Sequence, residues 1–132
     1  MNNLKKNHIL FSIVCLVFGL FVFCALPFAQ EKSNEDLQKE YAPILGEYEF
    51  VTEGQTTIIR FYIEGGELWA DSGDGRPATL EPVEDEVFSF TAEDPISGMF
   101  EIEFLKDDQG EYAICHIVNT SMGLEIEGTK IR

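Results

Sequence analysis

Positive charge is scarce in this chain, and so are thiols, imidazoles and paired catalytic residues. Of 132 residues, nine are Lys or Arg, 24 are Asp or Glu and two are His, for a net charge of −15. Lys5 and Lys6 fall near the N-terminus and no acid precedes residue 30, so the part downstream holds seven cations against all 24 acids, a net of −17. A surface of that sign repels phosphate backbones and anionic lipid headgroups, which argues against nucleic-acid binding and leaves a cationic partner open. Most of the acids need no role beyond solvation.

The other shortages remove chemistry. Cys15 and Cys24 lie in an apolar leader and only Cys115 lies beyond it, so no disulfide can form within the downstream domain. That domain must be held by its core and its ladder hydrogen bonds, and a lone thiol there is expected to be buried and inert. A serine nucleophile activated by lysine needs Ser-x-x-Lys. Ser33, Ser72, Ser89, Ser97 and Ser121 are instead followed at that spacing by Asp36, Gly75, Ala92, Phe100 and Leu124, and no Gly-x-Ser-x-Gly elbow occurs. Cys115 and His116 are adjacent, so on a strand they point to opposite faces and cannot form a dyad. His116 is the only histidine beyond the leader, which excludes a multi-histidine zinc site within one chain. Asp71 and Asp74, with Gly73 and Gly75, could offer oxygens to calcium, but their spacing misses the Asp-x-Asp-x-Asp-Gly loop and reads as a solvent loop. Asp107-Asp108 likewise reads as a turn. No catalytic, cofactor-binding or metal-ligating residues are expected.

One long hydrophobic run is present. Lys5, Lys6 and His8 precede residues 9–26, which carry no charge, the layout of a secretory signal or a membrane anchor. Residues 1–29 form this leader. Ala29 and the abrupt change to charge after it favour cleavage before Gln30, whereas retention would tether the chain with Lys5 and Lys6 inside. Cys24 follows Phe23 rather than a small residue, which argues against a lipoprotein signal. Residues 30–132 are then secreted or periplasmic, or anchored with the domain outside the cytoplasm, and they have room for one domain.

The clearest local pattern is at residues 56–71. Ile59, Phe61 and Ile63 alternate with Arg60, Tyr62 and Glu64, the period of a half-buried strand. Gly65-Gly66 supplies the positive φ angles of a two-residue hairpin turn, and Leu68, Trp69 and Ala70 return. Before this hairpin, Ser33 and Asp36 predict a short capped helix with Leu37 and Tyr41 on one side, ended by Pro43 and laid against an open end of the sheet. Residues 47–51 alternate, with Tyr48 and Phe50 facing one way.

After it, residues 77–83 are broken by Pro82, which marks an edge or a strand end, and Glu84-Asp85-Glu86 forms a turn. Residues 87–91 place Phe88 and Phe90 on one face, and 99–105 alternate Phe100, Ile102 and Phe104 with glutamates. Residues 106–110 read as a hairpin loop. Residues 112–118 are apolar on both faces, as in a strand covered on both sides or one whose outer face meets the helix. Leu124 and Ile126 alternate with Glu125 and Glu127 in the last strand. About eight strands at this spacing predict an all-β antiparallel sandwich or barrel. Trp69 is out of phase with Leu68 and Ala70, yet as the largest apolar surface it is expected in the core. If exposed beside Tyr62, it would mark a contact surface.

Tyr41, Gly46-Glu47-Tyr48, the run Ile63-Glu64-Gly65-Gly66-Glu67-Leu68, Leu80-Glu81-Pro82, Phe88 and the run from Phe104 to Gly110 together resemble a small lipocalin-like domain. In that family the domain commonly follows the catalytic domain of serine hydrolases related to β-lactamases and penicillin-binding proteins. The resemblance covers roughly residues 37–131 and rests on turn and core positions. It implies a small antiparallel barrel of about eight strands with one short N-terminal helix, spanning the 30–132 domain and here standing without a hydrolase. It further implies a non-catalytic module that binds a protein partner or is accessory to a hydrolase. The alternative is a carrier of a small apolar ligand in the barrel, against which stands the crowding of Phe50, Phe61, Phe88, Phe90, Phe100 and Phe104 on the inner faces.

The leader reading makes a direct expectation. Intact mass of the protein from its native host should give a species beginning at Gln30 in the soluble fraction, and a species beginning at Met1 in the membrane fraction would reverse it.

Overall fold

Ser33 caps the first described helix. In the computed structural model, which describes residues 32–132, its hydroxyl accepts from the Asp36 backbone N–H at 3.2 Å, and helix α1 runs Asn34–Tyr41. Eight strands follow: β1 (Gly46–Thr52), β2 (Gln55–Glu64), β3 (Glu67–Asp71), β4 (Ala78–Pro82), β5 (Ser89–Asp94), β6 (Gly98–Lys106), β7 (Tyr112–Asn119) and β8 (Leu124–Lys130). A 3₁₀ turn, η1 (Thr120–Met122), separates the last two. Each strand pairs antiparallel with the next, and β8 returns to β1, giving a closed up-and-down barrel. Closure leaves no sheet edge. Among the described residues no helix is long and apolar enough to cross a membrane, and the leader expected over residues 1–29, with its cleavage before Gln30, lies outside them.

The Gly65-Gly66 hairpin forms as the sequence predicts. Both glycines have positive φ, 60° and 77°, and Glu64 pairs with Glu67 across them, the geometry of a type I′ turn. A second turn of this kind, at Glu53-Gly54 with φ of 51° and 78°, joins β1 to β2. Glutamate is not a usual residue at such a positive-φ position. The helix reaches the first hairpin through Asn34, whose side-chain oxygen accepts from the Gly66 N–H.

Alternation along every strand sends one side chain in two to the interior. Tyr48 and Phe50, Phe61, Leu68, Leu80, Phe90 and Ala92, Ile102 and Phe104, and Cys115 and Ile117 are all buried there. Four rings meet along the axis edge to face. Phe61 and Phe104 have centroids 4.9 Å apart, Tyr48 lies 5.4 Å from Phe61 and 5.5 Å from Phe104, and Phe90 lies 5.9 Å from Phe104. Edge-to-face contact suits the ring quadrupoles. Helix α1 packs chiefly on β2 and β3 and extends the column, setting Tyr41 against Phe90 at 5.5 Å. Just beyond it, fully buried Ile44 accepts a hydrogen bond from the Tyr48 hydroxyl at 2.8 Å.

The chain departs from the predicted pattern in two places. Residues 87–91 do not form a strand from their first member. Val87 and Phe88 belong to a turn, Phe88 has φ of 52°, and β5 starts at Ser89 and runs on to Asp94, past residue 91 where the predicted segment ends. The left-handed backbone aims the Phe88 ring at Tyr112 and Tyr41, with centroids at 4.8 and 6.4 Å, and that packing offsets the unfavourable φ.

The second departure concerns β7, whose outer face does not meet the helix. Its pairing with β6 jumps from Leu105↔Ile114 to Lys106↔Tyr112, leaving Ala113 as a bulge that turns Tyr112 toward Phe88. Beyond the bulge Cys115 and Ile117 point in, while Ile114, His116 and Val118 lie half-buried on the outer wall. Pro82 ends β4, so of its two expected roles it takes the strand end.

Packing is tightest where β8 closes on β1. Gly128 pairs with Phe50, and a Cβ at Gly128 would stand 2.7 Å from the Phe50 ring, so the ring lies directly over the bare backbone. Gly128→Ala should therefore destabilise the domain by about 1–3 kcal/mol, measured by denaturant unfolding. Phe50→Leu should relieve part of that cost in the double variant, a coupling of roughly 0.5–3 kcal/mol; additive losses would contradict this account.

Candidate functional site

The two residues singled out as a contact surface, Tyr62 and Trp69, are direct partners across β2 and β3. Both occupy the outer phase of their strands and both are half-buried. Trp69 is thus not in the core, contrary to expectation. Leu68 and Ala70 hold the inward positions of β3, and the indole N–H donates to the Glu64 carbonyl at 3.0 Å. With its polar atom satisfied by the adjoining strand, the ring can lie on the outer wall and present an apolar face. Arg60, two residues before Tyr62 and therefore on the same face, sets its guanidinium 4.5 Å from the Tyr62 ring centroid, within cation–π range. Sequence reading left Arg60 out although its phase along β2 placed it beside Tyr62.

A second assembly lies on the outer wall of β5, β6 and β7. Register aligns Ser89 with Glu103, Glu103 with His116 and His116 with Glu127. A groove of about 690 Å³ is lined by Ser89, Glu103 and His116 together with Val83 and Val87. Glu103 stands between serine and imidazole, so their backbones are two strands apart, roughly 9.5 Å at the usual spacing, too far for one to activate the other. His116 turns instead to Glu125, its Nε2 lying 3.0 Å from a carboxylate oxygen. That partner is diagonal across the β7–β8 pair, a relation that needs the register to be known.

Cys115, next in sequence to His116, points the opposite way. Its side chain is fully buried in the barrel, and burial pushes the thiol far above its ordinary pKa. The Tyr48 hydroxyl is pushed up in the same way. Neither is a ready nucleophile at neutral pH, because the interior disfavours the anion.

The acidic loops satisfy their own backbones. Asp71 accepts from the Gly73 N–H at 2.8 Å, Asp74 from the Arg76 N–H at 2.9 Å, and Asp107 from the N–H groups of Gln109 and Glu111 at 2.9 and 3.0 Å. These side-chain turns fix the loops locally. Among the described residues no three His, Cys, Asp or Glu side chains converge as metal ligands would.

The buried thiol gives a chemical readout of the fold. In native buffer Cys115 should resist iodoacetamide over hours, and in roughly 6 M guanidinium, beyond the usual unfolding range, it should be alkylated completely, with peptide mapping to separate it from Cys15 and Cys24. Rapid native labelling of Cys115 would show that the barrel opens there.

Compared with family models, with curated proteins and with solved structures, the chain matches none.

Proposed function

We propose that this protein is a non-catalytic β-barrel module, acting outside the cytoplasm, that binds a protein partner through the outer wall of β2 and β3. The observation that carries the reading is the cross-strand pair of Tyr62 and Trp69, half-exposed, with the indole N–H already bonded within the chain. Aromatic side chains of this kind supply large contact area at low entropic cost and are enriched at protein interfaces. The net charge of −17 downstream of the leader favours a partner with a basic face and speeds its encounter. Exposed Glu64 and Glu67 beside the aromatic pair supply that charge locally. An accessory role beside a hydrolase is one form of this reading.

The reading as a carrier of a small apolar ligand would need room along the axis, where Tyr48, Phe61, Phe90 and Phe104 touch one another. An eight-stranded barrel is narrow enough for its own side chains to fill it. Binding on the outside is the reading that fits such an interior.

Photo-crosslinking in the native host tests the proposal. A benzophenone residue at position 62 or 69 should trap one protein partner with a basic surface, and the same probe at position 103, on the opposite wall, should not. Trp69→Ala should weaken binding of that partner by about 2 kcal/mol or more, as central aromatic residues do, without loss of the fold. Equal trapping from position 103, or no protein adduct from 62 and 69, would refute the assignment.

A further inference from the structure

Of the seven described Lys and Arg residues, four find a carboxylate. Lys32 pairs with Glu40, Lys39 with Glu35, Arg76 with Asp74 and Arg132 with Glu47. Arg60 lies over Tyr62. Lys106 and Lys130 form no ion pair among the described residues, and both line the same groove. This groove, of about 660 Å³, lies at the end of the barrel where the β6–β7 loop meets the end of β8, and Tyr62 and Trp69 are not among its lining residues. Its volume is in the range of small-molecule sites.

The two lysines are held differently and converge on one space. The Lys130 ammonium donates to the Pro43 carbonyl at 3.1 Å, which uses one of its three donors. The Lys106 ammonium lies 5.2 Å from the centroid of the Tyr112 ring, a contact that leaves its N–H groups unbonded. Tyr112, Ala113, Pro43 and Ile131 give the same groove apolar surface, and Arg132, paired with Glu47, also lines it. Two ammonium groups beside apolar surface fit a carboxylate carried on a short apolar body. Glu111 also borders the groove, and with the acidic surroundings it disfavours a doubly charged anion such as phosphate. Remote acids matter less, since charges farther than about 8 Å are largely screened at physiological salt.

We propose that this groove is a binding site for a monocarboxylate with an apolar body, with Lys106 and Lys130 as its charge contacts. Partial burial already holds the Lys130 pKa below its ordinary value, so an anion brought beside it would offset a desolvation cost that the free protein bears.

The test uses hexanoate as the probe, with the full chain followed by amide-resolved NMR titration. Hexanoate should give saturable shifts at residues 110–113 and 130–132 that weaken with added salt, while hexanol and inorganic phosphate should not. Lys130→Gln and Lys106→Gln should each weaken hexanoate binding about tenfold, the usual scale for losing a hydrogen bond to a charged group. Should Lys130→Gln disturb the fold, Lys106→Gln, at an exposed position, carries the test alone. A leucine-rich tripeptide with a free C-terminus, compared with its amide, separates the two sources of such a carboxylate. Preference for the free-acid peptide over hexanoate assigns the groove to chain ends and preference for hexanoate to small acids, and either supports the site. Shifts that do not saturate, equal binding of hexanol, or unchanged affinity in the lysine variants would overturn it.

Discussion

The Tyr48 hydroxyl donates to the carbonyl of Ile44 while its ring meets Phe61 and Phe104, and this joint of one hydrogen bond and two ring contacts ties the helical end to the barrel axis. A buried phenol must have a partner for its O–H, since an unpaired one costs about 1–3 kcal/mol. The carbonyl that satisfies it lies just past α1, so the segment after the helix cannot leave without exposing that group. Around this joint the rings of Phe90 and Tyr41 continue the column, each pair adding about 0.5–1.5 kcal/mol beyond its buried area. The domain has no disulfide to supplement such packing, and Cys115 serves it as a small apolar side chain.

A filled interior moves function to the surface, where the same two-residue alternation sorts the chemistry. Most buried inward positions are aromatic or aliphatic. Outward ones on β6 and β8 include Glu101, Glu103, Glu125 and Glu127. Against that background, exceptions carry the information. Tyr62 and Trp69 are apolar where neighbours are polar, and Lys106 and Lys130 lack the carboxylate partner that Lys32, Lys39, Arg76 and Arg132 have. These two exceptions share no residue, the first lying on β2 and β3 and the second at the ends of β6 and β8.

Much of the fold was legible in the sequence because its signals are local. Period-two alternation at Ile59, Phe61 and Ile63, the glycine pair at 65 and 66, and the Ser33 cap each depend on a few neighbouring residues, and each appears where predicted. What escaped depends on partners distant in sequence. Phe88 takes a left-handed backbone because Tyr112 and Tyr41 wait for its ring, and the Ala113 bulge exists only relative to β6. Trp69 was expected inside on size, but phase along β3 decided its side. The surface pairs suffered most. Arg60 with Tyr62 could have been read from phase alone, whereas His116 with Glu125, and the meeting of Lys106 with Lys130, required the order in which strands close the barrel.

The central claim is that ring-on-ring packing fills the barrel and leaves no room for a ligand on its axis. Xenon is the most direct probe, because it enters dry apolar cavities and shifts the NMR signals of the methyl groups that line them. The account predicts that xenon pressure leaves the methyl signals of Leu68, Leu80, Ile102 and Ile117, which line the interior, without a saturable shift. A saturable shift shared by those four methyl-bearing residues would reveal an internal cavity and contradict it.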